Sequence, residues 1–190
     1  PHLTIDPVLA AAQVISALQG VVARNVPPLK SAVVSVTSLH GGEAFNVIPE
    51  TVELRGTIRS FDPEVRQLVL QRVEQVVKGA SSAMGCEAQI EIWRVTPAVI
   101  NDPGLSARVR AVAERLLPQA QIDDQERTMG SEDMAYMMET IPGCYFFVGS
   151  ANPEKGLDAP HHHPKFDFDE QALPRAAALM TAAAIDLLSG

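Results

Sequence analysis

The sequence predicts an α/β fold in two parts, an α+β part over residues 1–96 and a piece of an α/β domain over residues 97–190. Two observations predict it. Up to residue 95, segments with helical and strand periodicity follow one another in the order α-β-β-α-β. After a boundary rich in Pro and Gly at 97–104, helical patterns flank a short, wholly apolar segment, which is typical of a buried strand in an α/β domain.

The first part is predicted to begin with a helix. Asp6 has the residue type of an N-cap, and Pro7 suits the first helical position. We expect this helix to end near Asn25 and to bury one stripe, formed by Val8, Ala11, Ala12, Ile15, Leu18 and Val22. The β-branched segment 31–39 and the alternating segment 51–59 then predict two strands.

The strand over 51–59 is expected to have a buried face and an open face, because its side chains alternate. Its buried face is Val52, Leu54, Gly56 and Ile58, and its open face includes Arg55, Thr57 and Arg59. Asp62-Pro63 predicts a second helix with a stop near Gly85, and the alternating residues 87–95 predict a third strand.

One further strand before Pro1 would complete the order β-α-β-β-α-β, the split ferredoxin-like unit. The first strand is an inner one in that topology, so a sheet without it leaves backbone groups unpaired. The sequence also begins without Met. We therefore expect the chain to be a C-terminal fragment of a longer protein.

The second part is predicted to contain three helices and one strand. The helices are expected over 105–117, from an N-cap at Ser131, and over 169–188, and the strand over 144–148 is expected to be buried on both faces. The predicted buried stripe of the last helix is Leu173, Ala177, Met180, Ala184 and Leu187.

Composition and charge argue against several classes of protein. The chain has 46% hydrophobic residues, 20% charged residues and a net charge of -8, which is ordinary for a folded domain and unfavourable for binding nucleic acid or anionic membranes. No run approaches 18 apolar residues, so we expect no membrane span. The two cysteines, Cys86 and Cys144, cannot form a disulfide framework, which favours a reducing compartment such as the cytoplasm.

The segment 160–164, Pro-His-His-His-Pro, is the strongest candidate for chemistry because imidazole is a common metal ligand. It also fits a solvated loop, and three adjacent histidines cannot all bind one ion. Asn46 fits ordinary turn chemistry as well as function, and Arg59 fits a solvated surface charge as well as a carboxylate fork. A single-ion site made by His2, His40 and His162 is a weaker alternative.

Four segments resemble the co-catalytic metal amidohydrolases, the metallo-exopeptidase family of hippurate hydrolase, auxin-conjugate hydrolases and N-acyl-amino-acid amidohydrolases. In order, they are PHLTIDP, NVIPETVELRGTIRSFD, MGSEDMAYMMETIPGCYFFVG and HHHPKFDFDEQALP. The resemblance implies a ferredoxin-like lid or dimerisation domain at residues 1–96, followed by the C-terminal part of the catalytic domain at residues 97–190. It also implies a pair of divalent ions per full-length subunit (Zn, Mn, Co or Ni), whose other ligands and general base lie in an N-terminal half.

The resemblance assigns roles to five residues. His162 matches the late metal ligand of the family, and Asn46 matches a lid asparagine that reaches the partner subunit's active site and helps to hold the substrate or the oxyanion. Arg59 matches the lid arginine that binds the substrate carboxylate, and Gly130 and Ser131 match a loop that lines the substrate pocket.

The implied activity is hydrolysis of the amide bond of N-acyl amino acids or small peptides by a homodimer that pairs through its lids. Because one histidine cannot hold two ions, we expect the 190-residue chain to be inactive alone. A non-catalytic dimerisation or binding module is the alternative from a different class.

Overall fold

A computed structural model describes residues 1–189 and divides into two compact units. The first unit comprises Pro1–Ala98 together with Met129–Ser131, and the second comprises Val99–Thr128 and the residues from Glu132 onward. The regular structure consists of helices and a small antiparallel sheet, which agrees with the predicted α/β class. The functional division at residues 96 and 97 remains a prediction.

Helix α1 (Pro7–Asn25) begins and ends as predicted. The Asp6 carboxylate accepts hydrogen bonds from the backbone N–H groups of Val8 and Leu9, at 2.9 and 3.1 Å, and Pro7 needs no such partner. The predicted buried stripe is wrong except at two positions, since the buried residues are Ala10, Ala11, Val14, Leu18 and Val21. The exposed residues Gln13, Ser16 and Gln19 lie on the side of the helix opposite the buried residues, and the predicted stripe did not use this polar face.

By length and composition alone, α1 could also cross a membrane. This differs from the expectation of no span, which considered only uninterrupted apolar runs. Core helices pass the same test, and five side chains of α1 are buried within the first unit.

Strands β1 (Ala32–His40) and β2 (Glu53–Ser60) form an antiparallel pair. The register places Val34 opposite Ile58, and it shifts at a bulge between Val36 and Ser38. Gly56 lies opposite Val36, and a Cβ atom there would approach the carbonyl oxygen of Ser35 to 2.2 Å. A side chain at position 56 would therefore push the two strands apart.

Helix α2 (Pro63–Ala83) repeats the start of α1, with the Asp62 carboxylate as the N-cap. Gly85 follows the helix in a left-handed conformation, as the predicted stop requires. Helices α1 and α2 pack on the face of the sheet that carries Leu54 and Ile58. The fully buried members of this core are Val14, Leu18, Val21, Val65, Val69 and Val73.

The predicted strand over 87–95 is not formed, since no residue of the segment takes part in a ladder. Alternating burial persists only from Cys86 to Glu91. A strand needs a hydrogen-bonded neighbour in a ladder. Residues 1–189 provide no such neighbour for this segment.

The second unit contains α3 (Pro103–Leu116), α4 (Met134–Met138) and α5 (Ala172–Leu188). Helix α3 begins at Pro103, two residues before the predicted start. Its N-cap is Asp102, so an aspartate followed by a proline begins this helix, as in α1 and α2. The predicted stripe of α5 is wrong, because Leu173 and Met180 are exposed while Leu179 and Ala183 are buried. The core of this unit consists of Val112, Ala113 and Leu179.

The predicted buried strand over 144–148 is also wrong. Most of its residues are half-buried and Phe147 is exposed, and the segment forms no ladder within residues 1–189. The side chain of Asn101 instead pairs with the backbone of Tyr145, donating to its carbonyl oxygen and accepting from its N–H, both at 2.8 Å. A central strand needs a hydrogen-bonded strand on each edge. Here the side chain of Asn101 satisfies the backbone groups of one residue only.

Candidate functional site

Arg59 lies near the end of β2, on the open face of the sheet and opposite Val33. Its side chain is half-buried, and its Nη1 donates a hydrogen bond to the carbonyl oxygen of Met129. Met129 directly precedes Gly130 and Ser131 in the first unit. The structure therefore brings together the three residues predicted to bind substrate.

Ser131 makes a second link in the same unit. Its hydroxyl lies 2.7 Å from the hydroxyl of Thr96. The prediction that Ser131 caps a helix is wrong, because α4 begins at Met134, after Asp133, with no side-chain cap. Sequence reasoning missed Thr96, since a contact across 35 residues leaves no local pattern.

The charge on Arg59 remains available. No carboxylate forms an ion pair with it in the described part of the chain, whereas Arg55 on the same strand pairs with Glu53 at 3.0 Å. The hydrogen bond and charge of Glu53 raise the pKa of Arg55. A guanidinium has five N–H donors and binds carboxylates through two of them at once. Arg59, held by a neutral carbonyl, can therefore still bind an anion.

Asn46 lies in the exposed loop between β1 and β2, next to the fully exposed Phe45. This loop leaves the sheet at the paired residues His40 and Glu53, at the end opposite Arg59. A strand rises about 3.3 Å per residue, so β2 spans about 20 Å between Glu53 and Arg59. The two predicted site residues therefore belong to opposite ends of the hairpin.

The three histidines at 161–163 are exposed, but they differ in their local contacts. The ring of His161 packs edge-on against Phe166 at 4.8 Å, and Nδ1 of His163 accepts from the backbone N–H of Lys165 at 3.1 Å. The ring nitrogens of His161 and His162 form no hydrogen bond within residues 1–189, and their rings lie 5.2 Å apart. Both imidazoles are therefore open to an external group, and only the motif resemblance favours His162 over His161.

The backbone of His162 differs from that of its neighbours in its φ angle. Its φ of 67° is left-handed, and it is the one non-glycine residue with positive φ in the described chain. This conformation costs an ordinary residue about 1–2 kcal/mol. Such strain persists where surrounding structure imposes it, frequently at functional sites.

The donor set around His162 is incomplete. Among residues 1–189, no group of three or more His, Cys, Asp or Glu side chains is placed to hold a metal ion. A catalytic zinc site needs at least three protein ligands. The single-ion alternative with His2, His40 and His162 therefore receives no support from the described residues.

Asp169 follows the histidines and is fully engaged by neighbouring groups. Hydrogen bonds from the Asn152 amide, the Lys155 ammonium and the Gln171 backbone N–H lower the pKa of its carboxyl to about 2. The side chain is only 16% exposed. Asp169 lies six residues after His163 in the sequence, but no residue pattern identifies it as the centre of these contacts.

Two open grooves lie away from the predicted residues. One, of about 320 Å³, is lined by Leu29, Lys30, Ser31, Phe61 and Asp62 of the first unit. The other, of about 370 Å³, lies between Ile100 and Gly143 of the second unit. Neither groove is lined by Asn46, Arg59 or His162, so neither forms a pocket around them.

The sequence profile of Peptidase family M20/M25/M40 matches residues 5–186. The chain belongs to this family, as its four motifs predicted.

Individual relatives agree with this result. N-acetyl-L-cysteine deacetylase from Bacillus subtilis (strain 168) is 38% identical over 188 residues, covering 99% of this chain and 44% of that protein. IAA-amino acid hydrolase ILR1-like 4 from Arabidopsis thaliana is 37% identical over 183 residues, covering 94% and 42%. The chain therefore spans about half the length of the curated relatives it matches.

A solved structure shows the same fold. The Bacillus subtilis YXEP protein, described as a dinuclear metal binding peptidase from the M20 family, superposes with a TM-score of 0.75 at 34% identity. The match covers 97% of this chain and 47% of that protein.

Proposed function

We propose that this chain supplies the substrate-binding lid and one metal ligand of an amidohydrolase that cleaves the amide bond of N-acyl amino acids or small peptides. The observation that carries the proposal is the position of Arg59, which is held by the Met129 carbonyl and has no carboxylate partner in the described chain. A half-buried guanidinium of this kind suits the carboxylate of an amino-acid substrate.

Three residues take separate roles in this proposal. Arg59 fixes the substrate carboxylate, Asn46 donates to the oxygen that gains negative charge, and His162 holds one of two divalent ions (Zn, Mn, Co or Ni). The ions, when bound, supply an activated water and polarise the acyl carbonyl. The remaining metal ligands and the general base lie outside these 190 residues.

The proposal includes a homodimer that pairs through the lid. The loop with Asn46 leaves the hairpin at the end opposite Arg59, which supports a role for Asn46 in the site of the partner subunit. Each active site would then need residues from two subunits. The two free cysteines, Cys86 and Cys144, support placing the protein in the cytoplasm.

Mixed dimers test this arrangement in the complete enzyme that contains all the metal ligands. Arg59→Ala and Asn46→Ala subunits are each expected to be nearly inactive. When the two are co-expressed, a mixed dimer has both changes in one site and neither in the other. Random pairing should restore about one quarter of wild-type activity. A mixture no more active than its parents would refute the shared site.

Each single substitution should lower activity by a measurable amount. Loss of one oxyanion donor raises the barrier by about 2.7–4 kcal/mol, so Asn46→Ala should lower kcat about 100- to 1000-fold. Arg55→Ala is the matched control for Arg59→Ala, because Arg55 shares the open face but is paired with Glu53. If Asn46→Ala keeps kcat/KM within threefold of wild type, the oxyanion role is withdrawn.

A non-catalytic binding module is the second candidate for the 190-residue chain itself. It is favoured by the incomplete donor set, since residues 1–189 hold no group of three metal-ligating side chains. We expect the isolated chain to show no turnover of N-acyl amino acids with added Mn²⁺ or Zn²⁺. Robust turnover would exclude this candidate and would also overturn the need for outside ligands.

A further inference from the structure

The segment 158–168, which carries the three histidines, is closed at its base by short-range bonds. On one side, the backbone groups of Asn152 and Leu157 pair with each other at 2.7 and 3.0 Å. On the other side, the backbone N–H of Asp169 donates to the carbonyl oxygen of Ser150 at 2.8 Å. The chain therefore leaves and returns at one place, as in a compact surface loop.

The carboxylate of Asp169 joins the two sides of this base. The amide of Asn152 donates to it at 2.6 Å, and Nζ of Lys155 lies 3.0 and 3.1 Å from its two oxygens. The backbone N–H of Gln171, beside the start of α5, donates to it at 3.1 Å. One side chain thus links the turn at 152–155 to the helix that follows the loop.

These contacts also occupy all the acceptor positions of the Asp169 carboxylate. A carboxylate has about four acceptor positions, and here each oxygen already receives two donors. Asp169 therefore has no free lone pair for a metal ion, although it lies close to the histidines in sequence.

The loop above this base has a constrained backbone. The N–H of His163 donates to the carbonyl of Pro160 at 3.0 Å, and the N–H of Phe166 donates to the carbonyl of His163 at 2.9 Å. Pro160 and Pro164 fix two further φ angles. With few internal degrees of freedom, the position of His162 depends mainly on how the ends of the loop are held.

We propose that Asp169 is a positioning residue for His162: it clamps the ends of the 158–168 loop through Asn152 and Lys155, so that the imidazole is presented for metal binding. The proposal rests on the proposed role of His162 as a metal ligand. Groups that orient a metal ligand typically change metal affinity 10- to 100-fold when they are removed.

The test uses the complete enzyme, stripped of metal and titrated with Zn²⁺ or Mn²⁺ alone by calorimetry. Backbone hydrogen exchange of 158–168 is measured in parallel on the metal-free protein. Asp169→Ala should weaken binding of one ion, the same ion whose binding His162→Ala abolishes, at least tenfold, and it should speed exchange of the loop at least tenfold. Exchange in α3 and α5 should stay unchanged, which separates loop release from general unfolding. Asp158→Asn is the matched control, because this exposed aspartate lies in the loop without a clamp contact.

An exchange of partners makes the test specific to geometry. Asn152→Asp alone places two carboxylates together and should behave like Asp169→Ala. The double variant Asn152→Asp with Asp169→Asn restores an amide–carboxylate pair beside Lys155, and should return metal affinity to within about threefold of wild type. Failure of this rescue, in a folded double variant, counts against the clamp.

The remaining outcomes separate this inference from the proposed function. If His162→Ala leaves metal affinity unchanged, His162 is not a ligand and both proposals fail. If His162→Ala abolishes binding of one ion while Asp169→Ala changes neither affinity nor loop exchange, only the clamp is refuted. Faster loop exchange with unchanged affinity would likewise show that the clamp does not position the ligand.

Discussion

The two units differ in the size of their buried apolar clusters. In the first unit, two helices and a hairpin enclose six buried residues, with nine partly buried ones around them. In the second unit, the corresponding cluster has three buried and three partly buried members.

This difference shows where the stability of the chain resides. The first unit pairs its strands and covers one sheet face, whereas the second has helices without a sheet between them. Apolar burial is the main favourable term in folding. Substitutions in the core of the first unit should therefore lower the free energy of unfolding more than equivalent substitutions in the second unit.

Two leucines of nearly equal exposure give the largest expected contrast. Leu18 in the first unit is 6% exposed and Leu179 in the second is 7% exposed. Leu18→Ala should lower the free energy of unfolding by about 4 kcal/mol, because its cavity is enclosed, and Leu179→Ala by about 2.5 kcal/mol. Denaturant unfolding of each variant measures this, and equal losses would remove the distinction between the units.

Within the first unit, two glycines should respond in opposite directions. Gly56→Ala places a Cβ atom 2.2 Å from the Ser35 carbonyl oxygen and should cost about 3 kcal/mol. Gly79→Ala in α2 meets no atom within 4 Å and should stabilise the protein by about 0.5–1 kcal/mol. Thermal unfolding distinguishes the two, and a neutral Gly56→Ala would mean that the hairpin can shift.

In the second unit, His162→Gly should raise the stability of the metal-free protein by about 0.5–1 kcal/mol, because glycine accepts a left-handed backbone. The same variant should lose metal affinity. His161→Gly, which removes the contact with Phe166, should instead lower stability. A destabilised His162→Gly protein would show that this imidazole serves the fold rather than a ligand.

The smallest expected effect is the loss of folding stability at low pH. In each unit, one carboxylate with a lowered pKa contributes to this loss. The pKa of Asp62 is lowered by its hydrogen bond with Lys30, and that of Asp169 is lowered to about 2, mainly by Asn152. Both stabilise the fold fully above about pH 4, where the unfolded groups are also ionised.

Acidification should therefore weaken both units, and the contribution of Asp169 should disappear as the pH falls from about 4 to 2. Carbon-13 NMR titration of the carboxyl groups measures both pKa values. An Asp169 inflection at or above 3.9 would contradict the described contacts.

Local chemistry made the helix starts predictable. Asp6-Pro7 and Asp62-Pro63 identify two helix starts from adjacent residues alone, and Asp102-Pro103 follows the same rule, although the predicted start was two residues late. The buried faces of α1 and α5 were predicted less well. Gln13, Ser16 and Gln19 mark the exposed side of α1, but the predicted stripe did not use them, and alanine and leucine occur all around α5.

Long-range features needed the structure. The strands expected over 87–95 and 144–148 depend on neighbours that residues 1–189 do not provide, so their alternation or apolarity was not sufficient. The motifs identified Arg59, but not the carbonyl that holds it. The clamp at Asp169 and the left-handed φ of His162 likewise depend on contacts and dihedral angles that no residue pattern encodes.

The group that holds Arg59 is a peptide carbonyl, which every amino acid provides. Position 129 can therefore be randomised in a directed-evolution library while the guanidinium keeps its anchor. In the proposed amidohydrolase, side-chain changes at position 129 would then leave the anchor of the proposed carboxylate-binding residue in place.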